Sequence, residues 1–141
     1  MMNEPISSIM TKDVITVSPD ATFGEVKKIL FTNRIHHLPV VEKSKLVGII
    51  TSYDLVKVDE DFSMVHDKSI KSFMTTKIAK LEPKDKVGTA AEVFLENMFH
   101  GIPIVDENNV LKGIVTTHDV LMFLFDREYP DHKINWRGGG K

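Results

Sequence analysis

Two acidic side chains stand at matching places in this chain of 141 residues. Asp54 closes the run Gly48-Ile49-Ile50-Thr51-Ser52-Tyr53-Asp54, and Asp119 closes Gly113-Ile114-Val115-Thr116-Thr117-His118-Asp119. In each run an apolar strand gives way to a helix at a threonine, and the aspartate follows three positions later. A threonine at the N-cap with an acid at the third helical position is a helix start signal in its own right. The same pair suits a ribose. A short carboxylate at a helix start accepts both vicinal hydroxyls, while the threonine hydroxyl and the first helix N–H groups face a phosphate. The sequence leaves cap and sugar grip both open.

Histidines form the second chemical group. If His36, His100 and His118 converge near Asp119, they make a Zn²⁺ or Ni²⁺ site; otherwise they line a cleft, donate to phosphate, or simply pack. With no cysteine in the chain, a disulfide framework, a thiol nucleophile and a thiolate metal site are excluded. Neither Gly-x-Ser-x-Gly, His-Glu-x-x-His nor Gly-x-Gly-x-x-Gly occurs. The glycines 138–140 before Lys141 are followed by no Ser or Thr, so they are a tail rather than a phosphate loop. The residues form no constellation for an enzyme, and no cofactor is required.

The matching aspartates belong to a longer duplication. At an offset of 64, Ile6/Ile70, Ser8/Ser72, Met10/Met74, Thr11/Thr75, Pro19/Pro83, Gly24/Gly88, Asn33/Asn97, His36/His100, Pro39/Pro103 and Val41/Val105 are identical. One extra residue in the second hairpin loop moves the offset to 65 and adds Leu46/Leu111, Gly48/Gly113, Ile49/Ile114, Thr51/Thr116 and Asp54/Asp119. Two similar half-domains with two similar sites between them are expected. The copies differ at Asp13/Lys77, His37/Gly101, Tyr53/His118 and Arg34/Met98, which predicts unequal affinities and leaves no obvious arginine clamp.

The elements that must hold these residues follow from periodicity. Each repeat reads as strand, helix, strand, strand, helix. Residues 13–17 are rich in β-branched side chains and stop at Ser18-Pro19-Asp20. Thr22 and Glu25 form a capping-box pattern ahead of Phe23, Val26, Ile29 and Leu30 on one helical face. Residues 38–41 and 46–51 are apolar runs joined by a polar loop, the pattern of a hairpin, and a short helix over 52–58 closes the repeat. The second copy predicts strands over 78–81, 102–105 and 110–116, with helices over 87–98 and 117–128. This divides the chain into repeat 1 at 1–60, a charged and mobile hinge at 61–69, repeat 2 at 70–128, and a disordered tail at 129–141. Residues 120–125 are six apolar side chains in a row, which predicts either a deeply wedged helix or, preferably, a self-association surface.

Bulk properties bound the function. A hydrophobic share of 42 % builds a real core, and a net charge of −2 with pI near 6.3 offers no basic field for nucleic acid. No apolar run approaches the roughly eighteen residues needed to span a bilayer, and no secretory signal opens the chain. A cytoplasmic protein with neither nucleic acid nor membrane as partner is expected.

The duplication, the Ile-Met-Thr-Lys-Asp-Val-Ile-Thr-Val-Ser-Pro opening from Ile9, the His36-His37-Leu38-Pro39-Val40-Val41 segment and the paired Gly-x-x-Thr-x-x-Asp endings resemble a tandem pair of cystathionine-β-synthase (CBS) domains. The resemblance implies an α/β (α+β) fold of two β-α-β-β-α units packed sheet to sheet about a pseudo-twofold axis. It also implies AMP, ADP, ATP or S-adenosylmethionine bound in clefts between the repeats. Carried over residue by residue, one cleft would take Thr116, His118 and Asp119 with Asp13, Val14, Ile15 and His36. The other would take Thr51, Tyr53 and Asp54 with Lys77, Ile78, Ala79 and His100. Without an arginine clamp, a monophosphate or an uncharged adenosyl group fits better than a triphosphate. The family further implies a regulatory module that dimerises through its helices and acts on a separate partner. A ligand-free structural dimerisation module and a histidine-based metal protein are the alternatives.

Overall fold

A computed structural model describes residues 2–58 and 61–134. The predicted capping box opens helix α1 (Phe23–Asn33): the Glu25 amide donates to Thr22 Oγ1 and the Thr22 amide to Glu25 Oε2, each at 3.1 Å. Phe23, Val26 and Leu30 are its buried face. Strands β1 (His37–Glu42) and β2 (Lys45–Thr51) form an antiparallel hairpin that sets His37 opposite Thr51 and Leu38 opposite Ile50. Lys43 and Ser44 both take positive φ at its tip, the conformation of a two-residue turn matched to strand twist. Helices α2 (Ser52–Val56) and α3 (Phe62–Val65) follow. The second copy supplies α4 (Val87–Glu96), β3 (Gly101–Val105), β4 (Leu111–Thr116) and α5 (Thr117–Glu128). The result is a mixed fold with two small sheets, one per repeat.

The strands expected over 13–17 and 78–81 shrink to single parallel bridges, Val17 beside Val40 and Leu81 beside Ile104. Proline is the reason. Val17 donates to the Pro39 carbonyl and accepts from the Val41 amide; the next rung one way needs an N–H on Pro39, and the other way an N–H on Pro19. Pro103 and Pro83 block the same two rungs around Leu81. Residues 13–15 and 77–79 are thereby released from their own sheets.

The two halves are interlocked rather than merely stacked. Ile6 is fully buried in the second core with Ala90, Phe94, Ile102, Ile104, Val115 and Val120. Ile70 is fully buried in the first core with Val26, Leu30, Leu38, Val40 and Ile50. Each entry segment then crosses to the opposite hairpin: Thr11 exchanges both backbone bonds with Ile114 on β4, and Thr75 does so with Ile49 on β2. Gly48 and Gly113 permit this approach, since a Cβ at Gly113 would lie 2.7 Å from the Thr11 carbonyl and one at Gly48 would lie 2.7 Å from Met74 Sδ. The hairpin tips meet as well, through Leu46 N–H to Asn109 O at 3.0 Å and Asn109 Nδ2 to Leu46 O at 2.8 Å.

The segment read as a mobile hinge is docked where it is described. Val65 is fully buried, Phe62 packs against Phe23, and the amides of Phe23 and Gly24 donate to the carbonyls of Lys68 and His66. Two apolar side chains, Phe62 and Val65, outweigh the charges around them. Residues 59–60, at the end of the expected first repeat, and residues 135–141 of the expected tail lie outside the described residues.

Candidate functional site

Both aspartates complete capping boxes. Asp54 Oδ2 accepts from the Thr51 amide at 2.8 Å and the Thr51 hydroxyl at 3.2 Å, while the Asp54 amide donates to Thr51 Oγ1 at 3.2 Å. Asp119 Oδ2 accepts from the Thr116 amide at 2.9 Å, and the Asp119 amide donates to Thr116 Oγ1 at 3.2 Å. The cap is real at both places. The surroundings differ. Asp54 is only 3 % exposed and its Oδ1 is paired with Lys57 Nζ at 3.1 Å. At position 122, the counterpart of Lys57, stands a methionine.

Beside Asp54 opens a cavity of about 1040 Å³. Thr51, Tyr53, Asp54, Lys77, Ile78, Ala79 and His100 all line it, so residues far apart in the sequence and from both repeats are brought together. The crossing of Thr75 onto β2 does this, because it carries residues 77–79 over the start of α2. Ile49, Ile78, Met98 and Phe99 supply apolar wall, and Lys57, Lys77 and the histidines supply cationic or donor groups. An amphiphile with a flat apolar part and a hydroxylated, polar part matches such a lining.

The residues assigned to the Asp119 cleft are not gathered in this way. His36 lines the Asp54 cavity instead, because the Ser52 amide donates to its carbonyl and its Nδ1 lies 3.4 Å from Ser52 Oγ, which ties it to its own repeat's helix start. A cavity of about 320 Å³ that touches Asp119 is walled by Glu4, Ile9, Met122, Phe123 and Arg127, with Asp13, Val14, Ile15, Thr116 and His118 outside its lining. Asp13 and His118 are exposed, Ile15 is 40 % exposed, and Val14 and Thr116 are half-buried.

Sequence reading passed over His37 and Lys57, both in the cavity wall. His37 packs its ring against Gly101, within 2.9 Å of where a Cβ would stand, so the His37/Gly101 mismatch between repeats is a complementary pair across the seam. Burial, then the charges of His36 and His100, lower its pKa to about 4, which keeps the ring neutral near pH 7. The histidines that meet are therefore His36, His37 and His100, not the set with His118. Among the described residues no three His, Asp or Glu side chains form a group that could hold a metal ion.

The family model for the CBS domain matches residues 6–61 and 70–126. The chain belongs to the CBS-domain family. Its two CBS repeats are 32 % identical to MJ1225 of Methanocaldococcus jannaschii, over 86 % of this chain and 48 % of that one, with a TM-score of 0.80. The CBS pair of MJ0100, solved in complex with 5′-methylthioadenosine and S-adenosyl-L-methionine, is 31 % identical over 87 % of this chain and 97 % of that chain, with a TM-score of 0.76. CBSX2, solved in complex with AMP, shares the fold at a TM-score of 0.81 and 24 % identity, covering 89 % of this chain and 98 % of that chain. An inosine-5′-monophosphate dehydrogenase of M. jannaschii is 42 % identical over 86 % of this chain and 23 % of its own length. The chain spans 47 % of the curated MJ1225 sequence and less of the dehydrogenase. The likeness to the dehydrogenase is to its CBS region and brings no part of its reaction. No helix among the described residues is long and apolar enough to cross a membrane.

Proposed function

We propose that this CBS pair is a regulatory module that binds an adenosyl compound, AMP, ADP, ATP or S-adenosylmethionine, in the Asp54 cleft. The single observation that carries the reading is the convergence of seven residues from both repeats on one cavity of about 1040 Å³ with a buried carboxylate at its edge. In this reading the ribose hydroxyls bond to Asp54, and Ile78 and Ala79 cover the adenine while nearby backbone groups meet its edge. Thr51 and Lys77 serve the polar end. The related MJ0100 pair, which takes two adenosyl compounds, supports the ligand class. The Asp119 cleft, with Thr116, His118, Asp13, Val14 and Ile15, is a second and weaker site. Signalling follows from population shift. A ligand that touches both repeats favours one arrangement of them only by its differential affinity for that arrangement. The output then goes to a separate partner protein, with the module acting as a cytoplasmic homodimer and not as an enzyme.

A ligand-free dimerisation module draws on the two complete capping boxes, and a melting experiment separates it from the sensor. At a hundred times its dissociation constant a ligand adds about 2.7 kcal/mol, which in a chain of this size raises Tm by roughly 5–10 °C. Thermal melts with AMP, ADP, ATP, S-adenosylmethionine and 5′-methylthioadenosine are expected to show such a rise for at least one of them. A flat panel at millimolar concentration leaves the module a structural one.

A further inference from the structure

We propose that Lys57 makes the Asp54 cleft selective for adenosyl ligands that carry negative charge beyond the sugar, because such a ligand replaces the partner that Lys57 must give up. The inference rests on the adenosyl reading above and names the ligand's charge class.

Both oxygens of Asp54 are engaged. Oδ2 holds the Thr51 amide and hydroxyl, and Oδ1 holds Lys57 Nζ at 3.1 Å. Sugar hydroxyls that bond to this carboxylate therefore compete with the ammonium for Oδ1. The two partners are unequal: the Asp54 side chain is 5 % exposed, whereas that of Lys57 is 53 % exposed. The carboxylate is fixed in the wall, and the ammonium is the group that can swing. Its tip already lies 5.6 Å from the centroid of the Tyr53 ring, and both residues line the cavity.

What Lys57 finds on leaving decides the selectivity. Among the described residues Asp54 is the only acidic one in this cavity's lining, where the ionisable cationic or donor groups are Lys57, Lys77, His36, His37 and His100. A neutral nucleoside takes the carboxylate and leaves the ammonium without an anion among the described residues of the cavity. The tail of S-adenosylmethionine sets one carboxylate against a sulfonium and an ammonium, so it brings net positive charge beside Lys57 and Lys77. A phosphate gives the displaced ammonium a new partner, so the ion pair is exchanged rather than lost. Helix α2 cannot do this in its place, since its five residues sum to little dipole, and no arginine lines the cavity. Met122 at the equivalent place in the second repeat has no charge to exchange, so selectivity of this origin belongs to the Asp54 cleft alone.

The test is calorimetric titration of the full chain and of Lys57→Met and Lys57→Gln with AMP, adenosine and S-adenosylmethionine at pH 7.5. The wild type is expected to bind AMP about tenfold more tightly than adenosine, with S-adenosylmethionine the weakest. Both variants are expected to lose that tenfold preference by weakening AMP while adenosine binding stays level or improves. Because position 122 is already methionine, any binding step at Asp119 is an internal reference that the variants leave in place. If the wild type binds S-adenosylmethionine as well as AMP, or if the AMP to adenosine ratio survives in the variants, the charge selectivity is overturned while the adenosyl reading stands. If none of the three binds the wild type at millimolar concentration, nor ADP or ATP under the same conditions, both fall.

Discussion

The side chain that best reports the state of the seam is His37, which sits on Gly101 of the other repeat between His36 and His100. Its folded pKa of about 4 lies below the unfolded value of 6.5, so between these values the unfolded chain binds more protons than the folded one. Stability from this group is complete above pH 6.5, declines as the pH falls through that window, and is gone below about 4. Thermal melts from pH 4 to pH 8 are expected to lose part of this slope in His37→Gln. An unchanged slope would mean that His37 is solvated and does not pack in the seam. At this scale the sequence was legible where chemistry repeats: Thr51/Asp54 and Thr116/Asp119 stand out because they occur twice in register. It was silent where chemistry lies in the differences. His37 and Lys57 gain their roles from Gly101 and Asp54, partners that only the fold selects, and His36 went to the other cleft because its backbone is bonded to Ser52.

Hairpins and helices were readable because burial and caps are local. The capping boxes at Thr22, Thr51 and Thr116 each sit within four residues, and α5 begins and ends where its pattern does. The first strand of each repeat was misread for a specific reason. β-Branched residues over 13–17 argue for a strand, but the rungs that would extend it need an N–H on Pro19 of its own segment and on Pro39 of a partner that periodicity alone does not identify. The swap of entry segments was hidden likewise, since nothing local says that Ile6 fills the second core and Ile70 the first. This crossing predicts unequal costs at the two conserved-in-repeat glycines. Gly113→Ala forces a Cβ to 2.7 Å from the Thr11 carbonyl, a backbone atom that moves only with its strand. Gly48→Ala meets the flexible tip of Met74 at 2.7 Å and reaches the Thr75 carbonyl only at 3.2 Å. Urea unfolding is expected to place Gly113→Ala about 1–3 kcal/mol below wild type and Gly48→Ala between the two in stability. Equal losses would mean that the two entry strands are held with the same freedom.

For the molecule as a whole, part of the apolar surface left uncovered follows the symmetry of the duplication. Phe31 on α1 and Leu95 on α4, at the offset of 64, are 74 % and 88 % exposed. Val56 on α2 and Leu121 on α5, at the offset of 65, are 81 % and 63 % exposed. A large apolar side chain exposed at the same place in both halves is suited to a surface related to itself by a twofold axis, as an isologous pair of copies requires. The sequence reading spread the exposed apolar surface evenly over 120–125, whereas Leu121 is the side chain of that run with most of its surface in water. Val120 faces the core, Phe125 packs against Tyr129 at 4.9 Å, and Phe123 lies beneath the Arg127 guanidinium at 5.0 Å. A charge at Phe123 or Phe125 would therefore disturb the fold of α5 as much as any contact between copies. Leu121 and Leu95 are the cleaner probes, since both project from helices with most of their surface in water and replacing them leaves the cores in place. Light scattering is expected to give twice the protomer mass of 16.0 kDa for the wild type and the single mass for Leu95→Glu combined with Leu121→Glu. Circular dichroism should be unchanged in the variant, because neither side chain belongs to a core cluster. A variant that keeps the doubled mass would place the contact between copies elsewhere, and a wild type of single mass would leave these four side chains to a different partner.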